Sequence, residues 1–360
     1  MRFALLVPEL TRHDAVSNDT RGMAAALRRD GHEVAVFAQH ARGDDADVLP
    51  PEDIPRWLDS RDDVLVYHYC VGWDLALELM RATRARRIVR YHNVTPPEFY
   101  EGWSQAHVAA CAHGRAQLDA FAALGCDLYL GDSPYNLEDF TSRGVPAHAC
   151  AVLPPFHEVE QLAALEADAG RIPAAAPLLL LVGRLAPNKG HLDLVDALAA
   201  CVAAGATEPH LLLVGKLDPQ LSVYGEALRD RIEAHGLGAR VTVLTDADGA
   251  ELRAAFEHAT ALLMPSRHEG FCVPLVEAMA LGTPIVALGS SAIPWTVGDA
   301  GLVWEAPDPA LFATSVLRIE RDSELRARLR ERGIARYASM FSPPVLEQGL
   351  RSAMRRMGST

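Results

Sequence analysis

Short apolar runs rich in leucine, valine and alanine alternate along this chain with longer segments whose apolar positions recur every three to four residues. The first pattern is that of a strand buried on both faces and the second that of an amphipathic helix. Their alternation predicts βαβ units around parallel sheets, an α/β fold. Two series can be followed. The first predicts a strand at Arg2–Val7, a helix over about Thr20–Asp30, a turn at Asp30-Gly31-His32 and a strand at Glu33–Ala38; later strands end at His68 and at His92, and another covers Leu128–Gly131. The second predicts strands at Leu178–Val182, Leu211–Val214, Val241–Leu244, Ala261–Met264 and Ile285–Ala287.

Between the series, Leu153-Pro154-Pro155 and an alanine-rich polar stretch to Pro177 mark where a domain boundary interrupts least. Length agrees, since 360 residues at about 100–200 per domain make two. The expected division is a Rossmann-like domain over 1–170, a second over 171–340, and a terminal helix within 341–360. That helix ends an arginine-rich stretch from about Ser323 to Met357, broken at Ser342-Pro343-Pro344. Open parallel sheets bind ligands just beyond the carboxyl ends of their strands, so the residues that follow strands carry the candidate chemistry.

Composition narrows the class. Hydrophobic residues at 49% and charged residues at 22% are those of a folded globular protein. A net charge of −13 works against sequence-independent binding of nucleic acid phosphates. The six cysteines are scattered with no C-x-x-C pair, which suits reduced thiols in a cytoplasmic enzyme and signals no zinc site. The run Phe3–Val7 is cut short by Pro8 and Glu9, too brief for a signal-peptide core, and no apolar stretch approaches the ~18 residues of a membrane span. A cytoplasmic location is expected. Lys189 and Lys216 are the two lysines among 34 basic residues, an arginine skew read as codon bias that draws attention to both.

Three segments of the second half follow predicted strands. The first is Gly183-Arg184-Leu185-Ala186-Pro187-Asn188-Lys189-Gly190, which sets a guanidinium and an ammonium five residues apart beside glycines, a combination suited to a diphosphate. Taken alone it would be a surface turn with two solvated cations. Lys216, in Leu213-Val214-Gly215-Lys216, could reach the same anion from the neighbouring loop. The third runs from Pro265 through Ser266-Arg267-His268-Glu269-Gly270-Phe271-Cys272-Val273-Pro274 into a helix over Leu275–Leu281 that stops at Gly282. Its first amides suit an anion, and Glu269 and Glu277 could accept from sugar or ribose hydroxyls. Each carboxylate alone would be an ordinary helix-start or surface glutamate.

Glu269-x7-Glu277, preceded by Gly183-Arg184-x4-Lys189-Gly190, resembles the retaining family 4 glycosyltransferases of the GT-B fold. Gly31-His32-Glu33-Val34, Tyr91-His92-Asn93, Ser133-Pro134-Tyr135-Asn136 and Val297-Gly298-Asp299-Ala300-Gly301 agree, so the resemblance covers most of the chain. It implies two Rossmann-like domains facing across a cleft, with the C-terminal helices packing back toward the N-terminal domain. It implies that Arg184 and Lys189 hold a donor diphosphate, that Glu277 takes the ribose hydroxyls, and that Glu269 with the backbone of Gly270, Phe271 and Cys272 takes the transferred sugar. Gly183, Lys216, Thr245 and Val273 complete the expected donor set. His92, Glu269, Arg184 and Lys189 are the expected catalytic residues. No metal and no cofactor are expected beyond the nucleoside diphosphate sugar, with UDP or GDP as its carrier. A leaving diphosphate would be neutralised by the two cations and a helix amino end.

In the first half, His68 and His92 end strands, and Asn18, His68, Asn93 and Glu98 are the candidate acceptor contacts, with Asp132 a further carboxylate nearby. For His68 a satisfied structural histidine is the equal alternative, and for Trp73 and Phe99 loop packing is the reading. Three departures from the family pattern stand out. The first loop reads Asp14-Ala15-Val16-Ser17-Asn18-Asp19-Thr20 where many relatives have Gly-Gly; Trp295 follows Pro294 where many have glutamate; and Val243-Leu244-Thr245-Asp246 lacks a frequent glycine. The basic stretches Arg81–Arg90 and Arg326–Arg336 read as solvated helix faces, with peripheral contact to an anionic membrane as the alternative.

The expected function is transfer of a sugar, with retention and without metal, from a nucleoside diphosphate sugar to a hydroxyl acceptor on a glycan, lipid-linked or small molecule. The rivals are a glycoside phosphorylase on the same fold, a sugar epimerase and a non-catalytic nucleotide-sugar binder. Hydride transfer is disfavoured because no G-x-G-x-x-G follows the first strand.

Overall fold

The computed structural model describes residues 1–12, 14–42 and 47–357. Its contacts divide the chain into two units: Met1–Pro97, Ala109–His157 and the chain from Ser342 onward form the first, and Glu98–Val108 with Glu158–Phe341 the second.

The first unit holds β1 (Arg2–Leu10), β2 (Glu33–Ala41), β3 (Val48–Leu49), β4 (Val64–Tyr69), β5 (Arg86–Tyr91), β6 (Leu128–Gly131) and β7 (Cys150–Val152) in the spatial order β3-β2-β1-β4-β5-β6-β7. All pairings are parallel. Alternate residues of β1 feed two cores, Ala4 and Leu6 on one face and Phe3, Leu5 and Val7 on the other, as a sheet covered by helices on both faces requires. Strand order reverses between β1 and β4, the switch point of such a sheet.

The first helix spans Ala15–Arg29, beginning five residues before the polarity of the sequence predicts. Asp14 caps it by accepting the Ser17 N–H at 2.9 Å, and Ser17, Asp19 and Thr20 are buried inside the helix rather than exposed in a loop. The terminal helix Pro343–Met357 starts with two prolines, which lack an amide the first turn does not need. It buries Leu346, Leu350, Ala353 and Met357 against Phe3, Leu5, Val64 and Ile88 of the first sheet. The preceding helix, Ser323–Arg336, stays with the second unit, where Gly333 lies against Met279; of the two C-terminal helices expected to pack back, the last one alone does so. The chain passes to the second unit at Glu158 rather than near 170, because Val159 and Leu162 are buried in the second unit's core.

The second unit holds β8 (Leu178–Val182), β9 (His210–Val214), β10 (Val241–Leu244), β11 (Ala261–Met264), β12 (Ile285–Leu288) and β13 (Leu302–Trp304), all parallel, in the order β10-β9-β8-β11-β12-β13. In chain order this is 3-2-1-4-5-6, the Rossmann arrangement, with its switch point between β8 and β11. No described helix is long and apolar enough to cross a membrane.

Leu350→Ala empties a fully buried site in the first unit's core and is expected to cost about 2–4 kcal/mol. Urea unfolding followed by tryptophan fluorescence reads this as a lowered midpoint, whereas Ile334→Ala, at an exposed position, leaves the midpoint near wild type.

Candidate active site

At the second unit's switch point the loops after β8 and β11 are fastened to each other by backbone and side-chain bonds. The Arg267 N–H donates to the Asn188 carbonyl at 2.8 Å, and the Asn188 Nδ2 donates back to the His268 carbonyl at 3.1 Å. Gly190, in the left-handed region at φ 74°, brings the first loop so close to the second that a Cβ there would meet the Pro265 carbonyl oxygen at 2.8 Å. The neighbouring loop after β9 joins from the other side: Gly183 N–H donates to Val214 and Leu185 N–H to Lys216, each at 2.9 Å. A Cβ on Gly215 would lie 1.9 Å from the Gly183 carbonyl oxygen, so this approach admits glycine alone.

That framework sets out the charges the sequence singled out. Lys189 Nζ lies 2.7 and 2.8 Å from the two carboxylate oxygens of Glu269, a largely buried ion pair across the switch point. Arg184, Lys216 and Thr245 are exposed at the ends of β8, β9 and β10, on the same edge of the sheet, and none is tied to another described side chain. Glu277 sits in the helix Val273–Leu281 and makes no hydrogen bond with a described residue. The residue is partly buried, and desolvation pushes its carboxyl up to about 7.

The approach to that helix is strained. Cys272 holds φ 75° and ψ 79°, unusual for a residue with a Cβ, so its conformation is imposed by its surroundings. Phe271 is buried against Trp295 and Phe341, which leaves its backbone and not its ring for a ligand. Trp295 thus has a packing role within this unit. Ser291 accepts the Glu269 N–H on its Oγ at 2.7 Å and steadies the acidic residue. Asn188 and Ser291 are positioning residues that sequence reasoning missed; Asn188 lay inside the loop that was singled out, while Ser291 carried no signal.

In the first unit, His68 at the end of β4 and His92 just after β5 stack, with His68 Nδ1 3.0 Å from His92 Nε2. His92 Nδ1 lies 3.0 Å from Asp132 Oδ2, and Asp19 Oδ2 lies 3.4 Å from both rings. Arg90, a charged residue inside β5 with no exposure, bonds Asp19 through Nε at 2.9 Å and the Leu153 carbonyl through Nη1 at 2.7 Å, and approaches Asp132 at 2.9 Å. Burial works to raise the Asp19 carboxyl, yet the Arg90 guanidinium and the bond from His68 hold it well below the usual range. Burial pushes His68 down to about 4, against the pull of Asp19. Full burial removes His68 from contact with an acceptor, and both ring nitrogens of His92 are engaged inside the unit. Asp19 and Arg90 were also missed; an arginine inside an apolar strand is itself a signal that counter-charges lie nearby.

The remaining acceptor candidates separate. Asn93, at φ 71°, donates from Nδ2 to Asn136 at 3.1 Å and so joins two of the motif segments. Asn18 is half-buried in the first turn of its helix, where its own N–H is bonded to Asp14. Glu98 is exposed and belongs to the other unit, in the segment where Phe99 meets His268 and Trp103 meets Tyr224. Asn18, His68 and Asn93 thus lie in the first unit and Glu98 in the second.

Two Rossmann-like units of this topology define the GT-B glycosyltransferase fold. The fold is shared with HepE of Anabaena in complex with UDP (TM-score 0.75, 17% identity, 99% of this chain and 100% of that one). It is also shared with the sucrose-phosphate synthase of Thermosynechococcus elongatus (TM-score 0.73, 20% identity, 99% of each). Residues 164–336 match the glycosyl transferases group 1 model. The D-inositol 3-phosphate glycosyltransferase of Corynebacterium efficiens is 30% identical over 173 residues, 48% of this chain and 41% of that protein. An MMP alpha-(1->4)-mannosyltransferase of Mycolicibacterium hassiacum is 35% identical over 160 residues, 43% and 37% of the two. The chain thus spans about two fifths of the length of these curated relatives.

Glu277 holds its proton more tightly in the folded chain, about 7 against the ordinary 4.5, so stability is lost as pH rises through that interval. Glu277→Gln, which mimics the protonated carboxyl, is expected to match wild type near pH 4.5 and to exceed it by about 1–3 kcal/mol at pH 8. Urea melts at the two pH values check this, and a difference independent of pH contradicts it.

Proposed function

We propose that the chain is a retaining glycosyltransferase that moves a hexose from a nucleoside diphosphate sugar to a hydroxyl acceptor, with no metal ion at the diphosphate. One observation carries the reading: the Lys189–Glu269 pair is fastened across the switch point beside the exposed Arg184, within the residues that match the group 1 model. Arg184 and Lys189, with Lys216 alongside, neutralise the charge that develops on the leaving diphosphate, aided by the amides of Gly270–Val273 at the start of a helix. Gly183 lets the chain approach the phosphates closely. Thr245, at the end of β10, lies toward the base, and Glu277 receives the ribose hydroxyls.

A diphosphate competes with Glu269 for Lys189. As Lys189 turns to the phosphates, Glu269 is released to accept hydrogen bonds from the transferred sugar, so donor binding itself completes the site. The acceptor oxygen then attacks on the face the diphosphate leaves, and a leaving phosphate oxygen takes its proton. His92, locked by Asp132 and His68, fixes the backbone that leads into Asn93 rather than meeting the sugar through its ring. UDP, the nucleotide in the HepE complex, is the first carrier to test.

Glu269→Gln keeps a partner for Lys189 while weakening its hold on sugar hydroxyls. It is expected to lower donor turnover, with water or a sugar as acceptor, by about a hundredfold or more while leaving the thermal midpoint near wild type. Nucleoside diphosphate release from a panel of nucleotide sugars measures this, and NMR of the product is expected to show the donor's anomeric configuration. Wild-type turnover in the variant, or an inverted product, would contradict the assignment.

A further inference from the structure

We propose that Asp19, His68 and His92 form a three-ligand site in the first unit for a divalent transition-metal ion of the zinc class. The inference does not rest on the transferase reading. The three facing atoms are His68 Nδ1, His92 Nε2 and Asp19 Oδ2, with separations of 3.0, 3.4 and 3.4 Å. An ion with bonds of about 2.0–2.1 Å in tetrahedral geometry places its ligands about 3.3 Å apart, so a single ion touches all three atoms with little movement of the chain. Two imidazole nitrogens and one carboxylate oxygen are the donor set zinc takes where it keeps an open fourth position.

The surroundings support the site. Asp132 receives His92 Nδ1–H, which fixes the ring's tautomer and leaves its Nε2 lone pair facing His68 and Asp19, the outer-shell arrangement of metal-bound histidines. Asp19 is held on its far side, Oδ1 accepting from Phe156 N–H at 2.8 Å and from Arg90 Nη2 at 3.1 Å, and Arg90 Nε bonds Oδ2 at 2.9 Å. Two carboxylates, Asp19 and Asp132, stand against the single guanidinium of Arg90, so with neutral imidazoles the enclosed cluster carries a net negative charge that a dication offsets. The ligands come from the Ala15–Arg29 helix, from β4 and from the residue after β5, rigid elements that meet at this unit's switch point. His92 and Asp132 retain the slight exposure through which an ion would enter.

The full chain, freed of any histidine tag and treated with chelator, is titrated with zinc chloride and with cobalt chloride. The expected result is one equivalent bound, a raised thermal midpoint and the visible absorption of four-coordinate cobalt. His68→Asn and Asp19→Asn are expected to abolish stoichiometric binding. Asp132→Asn weakens it by about 10–100-fold, and Asp196→Asn, at the exposed pair with His235, leaves it unchanged. Failure of the wild-type chain to bind either metal saturably overturns the proposal, as does one-equivalent binding that survives His68→Asn. Should that variant not fold, the wild-type titration and Asp132→Asn decide, with unchanged affinity in the latter counting against the site.

Discussion

The clasp between the loops after β8 and β11 is the constraint on which the second unit's working edge depends. Main-chain and amide bonds from Asn188 bring Arg267 and His268 to the first loop, and that closeness sets Lys189 against Glu269. A largely buried ion pair of this kind contributes little net stability, since desolvation offsets attraction, but breaking one side is costly. In the proposed reaction its value lies in exchange: an arriving diphosphate would offer Lys189 a stronger partner, and the released carboxylate would become an acceptor for hydroxyls. Positioning comes first and charge follows from it, because neither cation nor carboxylate is useful if the loops drift apart.

The first unit solves a comparable problem with buried polar groups. Arg90 inside β5 requires counter-charge, and Asp19 from the first helix supplies it while also accepting the Phe156 N–H from a distant part of the chain. Helix, strand and crossover are thereby fixed to one another at a sheet edge. The two histidines belong to that network, which is why they do not stand free at the surface as residues ending strands would suggest.

The two sheets were legible because parallel strands buried on both faces write themselves as continuous apolar runs; β8, β10 and β11 fall where those runs predict. Short edge strands such as β3 and β7 were not, since two or three residues carry no periodicity. The start of the first helix was misread because Ser17 and Asp19 look like a loop until their burial and the Asp14 cap are seen. Of the candidate site, Arg184, Lys189, Glu269 and Glu277 were singled out from spacing along one βα loop and one helix start, and the structure brings Lys189 and Glu269 into contact. Asn188's clasp, Ser291's support and the pairing of Arg90 with Asp19 join residues 22 to 80 positions apart, contacts that sequence spacing cannot announce. The unit of Glu98 was hidden for the same reason: the residues before it in sequence belong to the first unit, while it groups with the second.

The central claim is that the edge of the second unit's sheet binds a nucleoside diphosphate through Arg184 and Lys189. A thermal-shift panel with UDP, GDP, ADP, dTDP and free phosphate, run with chelator on the wild type and on Arg184→Ala, tests it most directly, since a ligand of the native state raises the midpoint. The account predicts a clear shift with one nucleotide that is largely lost in the variant. No shift with any nucleotide, or a shift undiminished by Arg184→Ala, contradicts it.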